Sequence, residues 1–165
     1  MTDYDAPVLH LLCGKIASGK STLAIRLARD PRAVLVSEDE WLDALYGPDM
    51  ADLADYVRCS ARLRAAMGPH VGALLRAGLS VVLDFPANTV EARGWMRGIV
   101  DRTGAAHRLH LLDVDDATCL ARLRDRNAQG DHPFAATEAQ FHRVSARFVP
   151  PGPDEGFDVV RHGDA

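Results

Sequence analysis

Pro7 to Cys13 reads as an apolar run ending at a glycine-rich stretch, the pattern of a buried parallel strand entering a tight turn. From about Lys20, Leu23, Ala24, Leu27 and Ala28 recur at helical spacing, and Pro31 stops that helix just past Asp30. Ala33 to Val36 predicts a second strand. Ser37 and Glu40 stand in the S-x-x-E relation of a capping box, which predicts a helix with Trp41, Leu42 and Leu45 on its apolar side, ended by Gly47 and Pro48. From Ala51 to Ala77 a long helical stretch carries Leu53, Val57, Ala61, Met67, Val71 and Leu74, with a break expected at Gly68 and Pro69 and a cap at Gly78.

Leu79 to Leu83 predicts a third strand. Asn88 and Glu91 form another capping-box pattern, opening a helix to about Arg102, and His107 to Leu112 reads as a fourth strand. Asp115 or Asp116 caps a helix to about Asn127, a polar loop follows from Ala128 to Pro133, and Thr137 to Phe148 is helical again. A proline-rich turn, Pro150 to Pro153, leads into a last strand, Phe157 to Arg161. Strands alternating with helices predict an α/β fold of three layers: a five-stranded, mostly parallel sheet with helices on both faces. Ligands in such folds bind beyond the carboxyl ends of the strands, so the residues just after each strand are the ones to search for chemistry.

Composition changes this picture little. A chain of 165 residues is expected to form one domain, 1–165, and its 47% hydrophobic and 25% charged residues point to neither disorder nor a fibrous repeat. The formal net charge of -4 argues against a sequence-independent grip on a nucleic-acid backbone. Cys13, Cys59 and Cys119 are widely spaced and suggest reduced packing residues rather than a disulfide framework or zinc site. Acidic Asp3 and Asp5 stand where a signal peptide would be basic, and Val8 to Cys13 is too short to span a membrane, so a cytoplasmic protein without a membrane partner is expected.

The strongest chemical signal is Gly14-Lys15-Ile16-Ala17-Ser18-Gly19-Lys20-Ser21, a full match to G-x-x-x-x-G-K-[ST]. The glycines let successive amides face one centre and the following helix adds its positive end, making a cradle for the phosphates of ATP that extends to Thr22. Lys20 is expected on the β- and γ-phosphates, and the Ser21 hydroxyl on Mg²⁺. The only lysines of the chain, Lys15 and Lys20, both lie in this loop.

Val36-Ser37-Glu38-Asp39-Glu40-Trp41 puts acids directly after the second strand. Phosphoryl transfer to an alcohol needs a carboxylate to orient the hydroxyl and accept its proton, and Asp39 is the first candidate, with Glu38 second. Glu40 is better explained as a cap partner. Asp84, after Ser80-Val81-Val82-Leu83, stands where a second acid would hold the metal. The order of phosphate loop, Asp39 and Asp84 resembles the small P-loop kinases grouped with polynucleotide kinase, chloramphenicol phosphotransferase and zeta-toxin-like enzymes, an AAA-type ATP-binding group. The resemblance implies a nucleoside-monophosphate-kinase-like P-loop fold, Asp39 as catalytic base, and a lid at about 122–136.

Arg122 and Arg126 fall on one helix face while Arg124 points nearly opposite. In the resembled lids such arginines neutralise the transferring phosphoryl, which implies Arg126 as a catalytic cation and Arg122 on the nucleotide; Ala128 to Pro133 adds no further arginine. Acceptor-binding helices are expected at about 38–77, where Trp41, Tyr46 and Tyr56 accompany Asp43, Asp49, Asp52 and Asp55. Trp41, Arg64 and Asn88 are the candidate acceptor contacts, although a stem that packs while its head reaches water is the commoner case for an arginine such as Arg64, and a capping role explains Asn88 about as well. His107 and His110 are expected to be packing or hydrogen-bonded core groups. The leading expectation is ATP- and Mg²⁺-dependent phosphorylation of a hydroxyl on a small molecule such as a sugar or antibiotic. A 5′-hydroxyl polynucleotide kinase and a slow ATPase that switches a partner are the alternatives.

Overall fold

The computed structural model describes residues 6–130 and 135–163. The expectations resting on Asp3 and Asp5, and those on 131–134 of the lid segment, lie outside the described residues. Five parallel strands make one sheet in the order β2-β3-β1-β4-β5. They are β1 (Val8–Cys13), β2 (Ala33–Ser37), β3 (Ser80–Pro86), β4 (Ala106–Leu112) and β5 (Val159–His162). The helices are α1 (Lys20–Leu27), α2 (Glu38–Tyr46), α3 (Leu53–Arg76), α4 (Val90–Thr103), α5 (Asp116–Gln129) and α6 (Glu138–Ser145).

Period-two alternation divides the core between the two faces of the sheet. Leu9, Leu11, Val81, Leu83 and Leu109 pack with Leu42 of α2, Leu63 and Val71 of α3, and Met96 and Ile99 of α4. Leu12, Val82 and Leu112 point the other way, against Leu23 and Ala24 of α1. Val114, Cys119, Leu123 and Phe141 form a third cluster joining α5 to α6. The fold is thus the three-layer α/β arrangement of P-loop proteins. Among the described residues no helix is long and apolar enough to cross a membrane.

Several local expectations are corrected. Gly68 and Pro69 do not break α3, which runs unbroken through both. Pro69 is exposed, so the carbonyl that loses its amide partner has water as a substitute. The buried stripe of α3 is Cys59, Leu63, Met67, Val71 and Leu75, whereas Leu53, Val57 and Ala61 face outward. Trp41 and Leu45 of α2 are exposed too, leaving Leu42 as its buried anchor. Asn88 does not cap α4; Thr89 does, accepting from the Ala92 amide. Helix α5 reaches Gln129 and is closed by Gly130 at φ 70°, and α6 ends at Ser145 rather than Phe148.

On the α1 side three histidines cross the sheet. His10 Nδ1 lies 3.0 Å from His110 Nε2, and His110 Nδ1 lies 2.9 Å from His162 Nε2. Burial, then His10, His162 and Arg108, push His110 down to about 4. Its unfolded value near 6.5 is higher, so the unfolded chain binds the extra proton between those limits. Stability is therefore lost as pH falls from about 6.5 toward 4, and His110→Asn flattens that acid limb. Urea unfolding midpoints at pH 7 and pH 5 check this; an equal pH dependence in both proteins contradicts it. His107 is hydrogen-bonded as well, accepting from the Asp158 amide at 3.1 Å.

Candidate functional site

The carboxyl ends of the strands open into a cleft of about 1350 Å³. Ile16 to Thr22 form its floor, Glu38 and Asp39 enter after β2, Asp84 from β3, Arg122 and Arg126 from α5, and Arg143 from α6.

The loop between β1 and α1 is shaped by backbone geometry. Ala17 at φ 61° and Gly19 at φ 101° are left-handed, which turns successive amides inward. Gly14 is closely packed, since a Cβ there would run into Ser18 Oγ and come within 3.2 Å of Leu112 O. Gly19 supplies no side-chain cap to α1, so first-turn amides remain available for an anion. Ser18 Oγ and Arg126 Nε are buried without hydrogen-bond partners, two polar atoms at this cleft that a phosphate oxygen would satisfy. The residues present therefore fit a nucleotide. Lys20 donates to Gly14 O at 2.5 Å and to Lys15 O at 2.8 Å. Burial lowers its ammonium from the usual lysine range, and Asp84 opposes that shift first.

Asp84 owes its place to an irregular register. Leu11 of β1 pairs with Leu83 but Leu12 pairs with Pro86, so Asp84 is carried past β1 while still opposite Ser37 of β2. Strand β3 does not end at Leu83 as expected but continues through this irregularity. Ser21 Oγ donates to Asp84 Oδ2 at 3.0 Å. Two hard oxygen donors suit Mg²⁺, which keeps waters and phosphate oxygens as its other ligands. Burial pushes the Asp84 carboxyl up, with Ser21 and Lys20 pulling it back.

Asp39 lines the cleft one residue into α2, whose cap is Ser37, accepting from the Glu40 amide at 3.4 Å. Arg126 lines the same cleft: burial lowers the guanidinium and the charge of Asp39 counters. Arg122 donates to Ser18 O at 3.3 Å, while Arg124 turns outward to Glu138 at 2.5 Å. Lys15 turns its ammonium away to Asp116, 2.6 Å distant. Glu38 is buried, accepting from the Tyr56 hydroxyl, with Arg64 Nη2 at 3.9 Å. Neither Trp41 nor Arg64 lines the cleft; Arg64 lies between Glu38 and the Trp95 ring.

Asn88 lines the cleft, yet its amide is engaged. Oδ1 accepts from Gly14 N at 2.9 Å and Nδ2 donates to Gly14 O at 2.8 Å, so one side chain clamps both polar groups of the first loop residue. Asn88→Ala orphans a buried amide and is expected to cost about 1–3 kcal/mol of stability. Because the orphan is in the cradle, affinity for a non-hydrolysable ATP analogue should drop as well. Unchanged affinity, by calorimetry, would contradict the clamp.

Sequence reasoning missed this clamp, and also Gln140, Arg143 and Val144 of α6, which reach the cleft from an amphipathic helix that looked purely structural. It missed Arg93 too, which is fully buried. A signal existed there, an arginine standing with Met96 and Val100 in the apolar stripe of α4.

The model of an AAA domain family matches residues 9–151. No curated protein matches the chain. Among solved structures, a candidate kinase of Chloroflexus aurantiacus superposes with a TM-score of 0.76 at 21% identity, covering 96% of this chain and 85% of that one. Chaetomium thermophilum Kti12, in complex with ADP-AlF3, gives 0.69 at 16% identity over 95% and 89%. Mycobacterium tuberculosis APS kinase, in complex with AMPPNP and APS, gives 0.60 at 18% identity over 96% and 88%. At these identities the likeness is one of fold, a kinase-like P-loop fold.

Proposed function

The chain belongs to this AAA domain family, and from that premise we propose that it is an ATP- and Mg²⁺-dependent kinase acting on a hydroxyl of a small molecule. The observation that carries the reading is the convergence of Lys20, Asp39, Asp84 and Arg126, from four different elements, on one cleft around the phosphate loop. A simple nucleotide binder has no need of Asp39 in the same cleft as Arg126.

In this reading the amides of the loop, with Lys20, hold the β- and γ-phosphates, and Ser21 and Asp84 hold Mg²⁺. The metal supplies charge neutralisation across the phosphates. Asp39 orients the acceptor hydroxyl and takes its proton as the new oxygen–phosphorus bond forms and the bond to ADP breaks. Arg126, with Arg122 beside the loop, stabilises negative charge on the transferring group. Helix α5 carries the start of the lid at about 122–136, and the region 38–77 is the acceptor side. Catalysis is then mainly positioning and electrostatics.

ADP release measured at saturating ATP and Mg²⁺, with and without pools of sugars, nucleosides and antibiotics, tests the reading. At least one small-molecule pool should accelerate release severalfold. A rate indifferent to every pool would favour a slow ATPase instead.

A further inference from the structure

Glu38 opens α2 beside Asp39, and its side chain is 2% exposed. One carboxylate oxygen, Oε1, accepts from the Tyr56 hydroxyl. The other, Oε2, is buried with no hydrogen-bond donor, the nearest cation being Arg64 Nη2 at 3.9 Å, beyond hydrogen-bond reach. Buried acceptors in folded proteins are nearly always satisfied, and the residue that carries this one, Glu38, is among those lining the cleft.

Charge is segregated around the same cleft. The arginines lining it come from α1, α5, α6 and β5, around the phosphate loop. From the end of β2 through the start of α3, the lining residues contribute Glu38, Asp39 and Asp52 with apolar Met50 and Leu53, and no cation. A phosphate brought to that end would meet three carboxylates and no cation contributed by that segment. An O–H or N–H donor would meet the unsatisfied oxygen of Glu38.

We propose that Glu38 reads the acceptor, its Oε2 taking a hydrogen bond from a second donor on the molecule whose hydroxyl faces Asp39. The acceptor is then a polyol or amino alcohol without a phosphate, rather than a nucleotide or a nucleic-acid end. This rests on the kinase reading and adds to it the chemistry of the substrate. Glu38 is a binding group here and Asp39 the base, so the two side chains act on different quantities.

The test is calorimetric binding to protein saturated with AMPPNP and Mg²⁺, using polyols, amino sugars and aminoglycosides on one side and sugar phosphates and a 5′-hydroxyl oligonucleotide on the other. Binding should be confined to the first group, and Glu38→Gln, which keeps the shape but leaves one acceptor oxygen where Tyr56 and the ligand need two, should weaken it at least tenfold. Retained AMPPNP affinity shows that the variant is folded, and Tyr56→Phe, which leaves the carboxylate, should keep the same preference. A phosphate-bearing ligand as the tightest binder, binding by neither group, or unchanged affinity in a folded Glu38→Gln protein would each overturn the proposal. A polyol that binds through Glu38 but is never phosphorylated would instead sink the kinase reading and leave only the binding role of Glu38 standing.

Discussion

Asp39→Asn leaves nucleotide binding intact and lowers acceptor phosphorylation by about 10²–10⁴-fold, the range lost when a positioned general base is removed. Asparagine keeps the size of the side chain and can still hydrogen-bond a hydroxyl, but it cannot take the proton. Residue 39 sits on the first turn of α2, capped by Ser37, so the change should not disturb the local fold. The loop amides, Lys20 and the Ser21–Asp84 pair are untouched, which is why the loss falls on turnover rather than on affinity for ATP. Parallel kinetics on Glu38→Gln separate the neighbours: a turnover loss belongs to position 39 and an acceptor-KM loss to position 38. Transfer retained in Asp39→Asn but abolished in Glu38→Gln would move the base to Glu38.

Arg93→Met should cost about 3–5 kcal/mol of stability, a large share of what a domain of this size possesses. The guanidinium is fully buried and spends its donors on Glu155 at 2.7 Å and 3.2 Å, Ala87 O at 2.9 Å and Val149 O at 2.7 Å. Methionine fills the stem but leaves the Glu155 carboxylate with only the Gly152 amide as donor and strips the Ala87 and Val149 carbonyls of theirs. Glu155 is held low chiefly by its hydrogen bonds with Arg93, so the folded carboxyl is charged and its stabilisation is lost only as pH falls through that depressed value. The melting temperature should drop on the order of 10 °C. Arg93→Lys should rescue only part, since an ammonium lacks the planar fork. A melting temperature within about 2 °C of the parent, below the span of a single kcal/mol, would show that the cluster is dispensable. The consequence reaches the cleft: Ala87 precedes Asn88, so Arg93 anchors the turn from which Asn88 grips Gly14.

What was legible in the sequence follows the range of the interactions. The phosphate loop is contiguous because one turn of backbone makes it, and each of the five strands lies within a few residues of where the sequence pattern puts it. The position of Asp84 was visible but the bulge that carries it past β1 was not, because a register shift leaves no period in the sequence. Arg93 and Glu155 are far apart along the chain, and nothing local links them. Asn88 misled because Asn-x-x-Glu satisfies a capping rule locally, while Thr89 offers a competing cap and Gly14 a better use of the amide. The outward Leu53 and Val57 have a related cause: the first turns of α3 border the cleft, where Leu53 and Tyr56 line it, before the helix settles on the sheet at Cys59. Apolar spacing alone does not say which wall a helix faces.

The central claim is that this cleft hands a phosphoryl group to an organic hydroxyl. Following the label of γ-labelled ATP with Mg²⁺ across pools of polyols, amino sugars, nucleosides, antibiotics and 5′-hydroxyl oligonucleotides tests it most directly. The account predicts label covalently on a small polyol or amino alcohol, absent with Asp39→Asn. Label found only as free phosphate in every pool would contradict it.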